Sequence, residues 1–120
     1  MNCPFCEYNS IIDGALAFAR YDKFPVFLGH CLIIPKRHVE TWFDMAKEEQ
    51  TEAFELIDKV KALIDDKYSP EGYNIGMNCG ETAGQTIPHA YIHVIPRYKG
   101  DMDNPRGGVR GVIPEKRVIN

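Results

Sequence analysis

No stretch of this sequence approaches the ~20 apolar residues that a membrane-spanning helix needs. The opening residues, MNCPFCEYNS, also lack the basic region and apolar segment of a secretory leader. Both absences lead us to expect a cytoplasmic protein with no membrane partner. Charge of one sign is missing too: the net charge is only −3, so the chain has no general attraction for nucleic acid, and any phosphate recognition must be local. Cysteine is sparse, at four residues (Cys3, Cys6, Cys31 and Cys79). Without an export signal these read as thiols or metal ligands rather than disulfides. There is no internal repeat and no low-complexity block, and 120 residues suffice for one hydrophobic core but not for two.

What is present reads as an α+β domain. The run ALAFARY alternates Leu16, Phe18 and Arg20 with small residues and predicts a strand. YDKFPVFLGH predicts a loop, and HCLIIP a short buried strand ended by Pro35, which cannot donate to a sheet ladder. From Lys47 to Lys67, Ala53, Leu56, Ile57, Val60, Leu63 and Ile64 recur at helical spacing and form one apolar stripe. Glu48 and Glu49 suit the positive start of that helix, and Ser69-Pro70 stops it. YNIGMNC, Tyr73 to Cys79, predicts a further strand, joined by the turn-rich GETAGQT to the segment after it. The two should pair antiparallel, giving an antiparallel sheet with one long helix on one face and a short second helix.

The segment after that turn, QTIPHAYIHVIPR, carries the chemistry. From Gln85 to Arg97 it alternates as a half-buried strand, with His89, Tyr91 and His93 projecting from one face. Residues four apart on a strand are separated by about 13 Å, too far for two imidazoles to share one metal ion. His89 and His93 are therefore expected to serve different sites.

For His89 a ligand set is at hand. Cys3 and Cys6 are spaced so that both thiolates reach one zinc ion, and His38 and His89, each next to a strand, would complete a closed Cys2His2 structural site. A redox dithiol and unpaired thiols remain alternatives, although the βαβ setting of a redox CxxC is absent. Gly80 and Gly84, followed by Gln85 and Thr86, form a loop whose amides and side chains suit an anion, though small glycine loops more often only make turns.

Together, GHCLIIPKRH, a long helix and GMNCGETAGQTIPH followed by HVIPR resemble the histidine triad (HIT) superfamily of nucleotide hydrolases and transferases, from CPFC to IPRYKGD. The resemblance implies a HIT domain over residues 1–98 with an N-terminal zinc-binding segment, and a Gly/Pro/Arg-rich tail over 99–120. The tail itself is similar to those of bacterial HIT proteins of the diadenosine polyphosphate hydrolase type; its composition alone suggests a mobile terminus. The family signature, histidine and apolar residues in alternation, falls on His89 to Ile95, with the middle, nucleophilic histidine replaced by Tyr91. By the same resemblance, His93 bonds the phosphate region, Gln85 and Thr86 lie beside the scissile phosphate, and Asn78 and His30 support the pocket. Asp22 accepts ribose hydroxyls, and Cys3, Cys6, His38 and His89 hold a structural zinc. A purine nucleotide or dinucleoside polyphosphate is the implied ligand and a homodimer the implied assembly. Phe54, off the buried stripe, is a candidate for the interface. Arg97, Arg106 and Arg110 are candidates for distal phosphates, because guanidinium groups suit bidentate phosphate contacts; taken singly, each reads more simply as a solvated charge.

The tyrosine changes the expected chemistry. A neutral imidazole is a good nucleophile near pH 7, whereas a phenol with a pKa of about 10 is ionised only about one part in a thousand there. Three readings follow: a nucleotide-binding relative with lost or strongly reduced activity, an active hydrolase bearing an engineered His-to-Tyr change, or an unusual tyrosine nucleophile. A rival from another class is a zinc-stabilised dimeric interaction module without nucleotide function.

Overall fold

The computed structural model describes residues 3–6 and 9–119. Residues 1–2, 7–8 and 120, which belong to the expected domain and tail, lie outside the described residues. The strands are β1 (Ile12–Asp13), β2 (Ala17–Tyr21), β3 (Cys31–Pro35), β4 (Gly72–Gly76) and β5 (Ile92–Arg97). They form one antiparallel sheet in the order β1-β2-β3-β5-β4. The one α-helix among the described residues, α1 (Lys47–Tyr68), crosses one face, and the expected short second helix takes the form of 3-10 turns such as Trp42–Asp44.

The register explains the two faces. Ala19 pairs with Ile33, which pairs with Ile92, and this row lies under the helix with Ala17, Cys31 and Val94. Leu56, Val60 and Ile64 of α1 close that core at the three- and four-residue spacing seen in the sequence. Small Ala17 and Ala19 leave room for the helix to approach. Glu52 fixes it further, one carboxylate oxygen accepting the amides of Leu16 and Ala17, each at 2.6 Å. Glu49 accepts the amide of Ala46 at the helix start and is paired with Arg37 at 2.8 Å, which is why a buried carboxylate is tolerated there. At the other end Ser69 adopts the left-handed conformation (φ 52°) and Pro70 follows, so the helix stops where expected.

On the opposite face Phe18 pairs with Ile34, and Arg20 with Leu32, which pairs with His93. Among the described residues no α-helix covers the sheet here. Phe5, from the N-terminal segment, packs on Phe18, Leu32 and Ile34 together with Tyr91.

Several boundaries differ from expectation. β4 ends at Gly76, opposite His93, and Met77 to Cys79 leave the ladder; Asn78 and Cys79 would have faced residues that precede the start of β5 at Ile92. The segment before Ile92 is not a strand: Pro88 lacks a donor, the amide of His89 turns back to Ile87, and that of Ala90 goes to Val39 instead of to a sheet neighbour. The two-residue β1 is too short to register as a pattern. The tail, expected to be a mobile terminus, folds into 3-10 turns at Gly108–Val112 and Pro114–Lys116. Arg117 holds it by donating to the carbonyls of Asn104 and Arg106, each at 2.6 Å. Phe54 is exposed and stacks on Trp42, with ring centroids 5.1 Å apart.

Candidate functional site

Two clusters of side chains lie on the face away from α1. The first gathers Cys3, Cys6, His38 and His89, whose donor atoms all fall within 4.8 Å of one another. Nδ1 of His89 is 3.3 Å from Sγ of Cys3, 3.7 Å from Sγ of Cys6 and 3.1 Å from Nδ1 of His38, and Sγ of Cys6 is 3.3 Å from Nδ1 of His38. A tetrahedral zinc ion with ordinary bond lengths spaces its ligands by about 3.3–3.8 Å; the three distances that involve sulfur fall in that range and the distance between the two Nδ1 atoms lies just below it. The protonation pattern agrees. Nε2 of fully buried His89 donates to the carbonyl of Pro35 at 2.8 Å, which fixes the tautomer and turns the Nδ1 lone pair toward the other three donors. These residues fit a structural zinc, with no position left open for substrate.

The second cluster is Asp22, His30 and His93. By residue type it resembles a two-histidine, one-carboxylate metal set, but its hydrogen bonds exclude that role. Nδ1 of His30 accepts the amide of Val26 at 3.0 Å, so in the neutral ring the proton is on Nε2. That nitrogen donates to Nδ1 of His93 at 3.0 Å and lies 3.4 Å from the Asp22 carboxylate. A metal-binding imidazole does the reverse, offering a lone pair to the ion and donating from its other nitrogen. The chain of bonds also assigns His93: its Nδ1 is an acceptor, leaving its proton on Nε2. Burial pushes the pKa of both rings down and keeps them neutral; the Asp22 charge opposes this for each, and for His30 the neighbouring His93 adds to it.

Gly29 makes this placement possible. Its φ of 90° is a left-handed conformation, and a side chain there would meet Tyr68, Ile64 and Pro96 within about 3.3 Å. The next residue, His30, is thereby turned under the sheet, with 2% of its surface exposed. Asp22 begins the loop after β2, with one carboxylate oxygen accepting the Phe24 amide at 2.9 Å.

The structure thus divides the sequence-derived residues. His93, His30 and Asp22 lie together, and Tyr91 packs on His93 with ring centroids 5.1 Å apart. Asn78 and His93 line a common cavity of about 380 Å³ with Met77 and, from the tail, Val109 and Val112. Those tail valines were not foreseen, since nothing in an aperiodic segment marks which residues will fold back. Gln85 and Thr86 instead line a separate hollow of about 370 Å³ with Glu40, Thr41 and Gly80. Gln85 is fully engaged there: its oxygen accepts the Gly80 amide at 2.8 Å and its nitrogen donates to the carbonyls of Glu40 and Ile87. Arg97 is likewise committed, to Asp101 and Asn74, rather than free for distal phosphates. Arg110 donates to the Lys116 carbonyl at 3.2 Å, and Arg106 stands exposed on the tail. Buried Cys31 donates to the Gly29 carbonyl, and burial pushes its thiol up to about 12, which makes it inert.

A family profile described as HIT domain matches residues 7–100. The chain belongs to the HIT family. The HIT protein of Bacillus subtilis named Protein hit is 37% identical over 111 residues, covering 83% of this chain and 74% of that one. A fission yeast relative, bis(5'-nucleosyl)-tetraphosphatase [asymmetrical] of Schizosaccharomyces pombe, is 42% identical over 77 residues. That match takes in 64% of this chain but only 42% of the yeast protein, so the chain spans less than half of that relative's length. Among solved structures, a Zn-bound histidine triad family protein from Mycobacterium smegmatis superposes with a TM-score of 0.74 at 28% identity. It covers 82% of this chain and 77% of that one. In this HIT chain, the five-stranded antiparallel sheet with one long helix is the HIT α+β fold.

Proposed function

We propose that this HIT domain binds a purine nucleotide or one end of a dinucleoside polyphosphate in the cleft beside His93, and that its hydrolase or nucleotidyl-transfer activity is lost or strongly reduced by Tyr91. One observation carries the proposal: both nitrogens of His93 are committed. Its Nδ1 accepts from His30, and its Nε2 carries the proton. The ring packed on Tyr91 is thus a hydrogen-bond donor, suited to a phosphate oxygen, and not a base able to take the phenol's proton. The groups that would recognise a nucleotide persist, while the attacking atom and its activation do not.

In this scheme His93 donates from Nε2 to the phosphate, Asp22, beside His30, accepts ribose hydroxyls on its free lone pairs, and Asn78 lines the hollow that His93 lines. His30 is a positioning residue, fixing the tautomer of His93 from a backbone amide. Gln85 shapes the loop rather than touching phosphate, since its amide is used three times over. A structural zinc on Cys3, Cys6, His38 and His89 would supply a cross-link between the N-terminal segment and the sheet. The relative named as a bis(5'-nucleosyl)-tetraphosphatase supports the ligand class, and the Zn-bound neighbour supports the metal. A homodimer in the cytoplasm completes the reading.

An active enzyme carrying an engineered His-to-Tyr change has the same pocket and differs only in the origin of Tyr91. The interaction module without nucleotide is separated by a melting assay with AMP or diadenosine tetraphosphate. Binding raises the midpoint by mass action; an unchanged midpoint at millimolar nucleotide leaves the interaction module as the better description.

A further inference from the structure

Phe5 stands between the two cysteines of the metal cluster, yet it points into the protein and is 4% exposed. Its ring meets the edge of His89 at 6.0 Å and 89°, and that of Tyr91 at 4.8 Å and 62°. The guanidinium of Arg20, itself buried, lies 5.2 Å from the ring centroid and donates to the carbonyl of Pro4 at 3.1 Å. One phenyl ring therefore touches a metal ligand on one side and the residue in the nucleophile position on the other. Tyr91 in turn packs on His93.

The segment that delivers Phe5 is a three-residue 3-10 turn, Pro4–Cys6, too short to hold itself in place. Its flanking thiols belong to the metal cluster. Arg20 and the apolar contacts with Phe18, Leu32 and Ile34 bind the turn from below, and the two thiols flank it in sequence.

We propose that Phe5 is a positioning residue for Tyr91, and that metal on Cys3 and Cys6 holds it there, so that the geometry of the nucleotide cleft depends on metal occupancy. The metal site is then a clamp on the ring that packs against His93 as well as a staple for the chain. The part concerning affinity rests on the nucleotide reading given above; the part concerning the Tyr91 ring does not.

The test uses the full chain, zinc-loaded, as wild type, Phe5→Ala and Phe5→Leu, with ring-labelled tyrosine for NMR and Tyr91→Phe to assign the Tyr91 signal. Zinc content should stay the same in both Phe5 variants. The Tyr91 ring signal should move in Phe5→Ala while those of Tyr21 and Tyr73, on the helix side, stay put. The dissociation constant for AMP should rise about three- to tenfold, the effect of losing one edge-to-face aromatic contact, and Phe5→Leu should recover part of it by filling the space. Chelating zinc from the wild type should move the Tyr91 signal in the same direction, and chelation should add little in Phe5→Ala. A Tyr91 signal unmoved in zinc-loaded Phe5→Ala would overturn the proposal, as would one unmoved by zinc removal. If Phe5→Ala does not fold, Phe5→Leu and the chelation arm decide. If wild type binds no AMP, the nucleotide reading fails while the Tyr91 signal still decides the role of Phe5.

Discussion

Nε2 of His30 donates to Nδ1 of His93 across 3.0 Å, and the amide of Val26 sets the direction of that bond from the far side of His30. A backbone group thereby dictates which nitrogen of a cleft histidine carries a proton. Protonating His30 would bring an N–H against the Val26 N–H, so the pair resists acid in the folded state.

This gives a pH dependence with a defined sign. Both rings have folded pKa values lowered from 6.5, chiefly by burial. Below about pH 6.5 the unfolded chain binds protons that the native chain refuses. Stability is thus full above that value and is lost as pH falls from there through the lowered folded values. Urea melts from pH 8 to 5 should show the loss, and His30→Gln should flatten it. Equal slopes in the two proteins would contradict the buried, neutral assignment.

Replacing Tyr91 by histidine should restore an attacking imidazole beside an intact phosphate donor. Hydrolysis of diadenosine polyphosphates or nucleoside phosphoramidates is expected to rise by about two orders of magnitude or more, the scale on which one catalytic side chain acts. Equal and substantial rates in both proteins would show that the phenol, or another group, already serves.

Metal analysis should return close to one zinc ion per chain, absent in Cys3→Ser. The variant is expected to lose about 2 kcal/mol or more of unfolding free energy, as losses of structural metal do, because the cover over Phe18, Leu32 and Ile34 is released. Metal-free wild type with the same melting curve would remove the structural role.

Gly29→Ala should cost about 1–3 kcal/mol, the usual range for a side chain forced into a left-handed backbone, since its Cβ would lie 3.0 Å from the Tyr68 ring and 3.1 Å from Ile64. Nucleotide affinity should fall with it, because His30 is the next residue along. Urea denaturation and calorimetry on one sample check both; a variant as stable as wild type would mean that the turn relaxes freely.

Much of the fold was legible because periodicity is a local signal. The α1 stripe and its Ser69-Pro70 stop follow from spacing and backbone chemistry alone, as does Pro35 at the end of β3. Strand edges were less visible: β4 leaves the ladder after Gly76, and β5 begins only at Ile92 because the amides of His89 and Ala90 bond Ile87 and Val39, which depends on the chain's course in space. The metal set could be assembled from a CxxC and two histidines at strand ends, because zinc needs few ligand types. Tautomers were invisible, since the amide of Val26 reaches His30 only through the loop's three-dimensional course. Arg97 shows the same limit: its pairing with Asp101 and Asn74 depends on a turn and a neighbouring strand, so residue type alone suggested a phosphate contact that the ion pair forecloses.

Gln85 ties the Gly80 amide, the Glu40 carbonyl and the Ile87 carbonyl with a single side chain. A lower rate in a Gln85 variant would therefore report a displaced loop, even though its place in the sequence invites assignment as a substrate contact. Separating the two takes a readout of the loop itself: hydrogen exchange at the Gly80 amide, which donates to the Gln85 side chain, speeds up in the variant if the loop has moved. The keystone of an arch and the tool resting upon it are easily confused when only the collapse is observed.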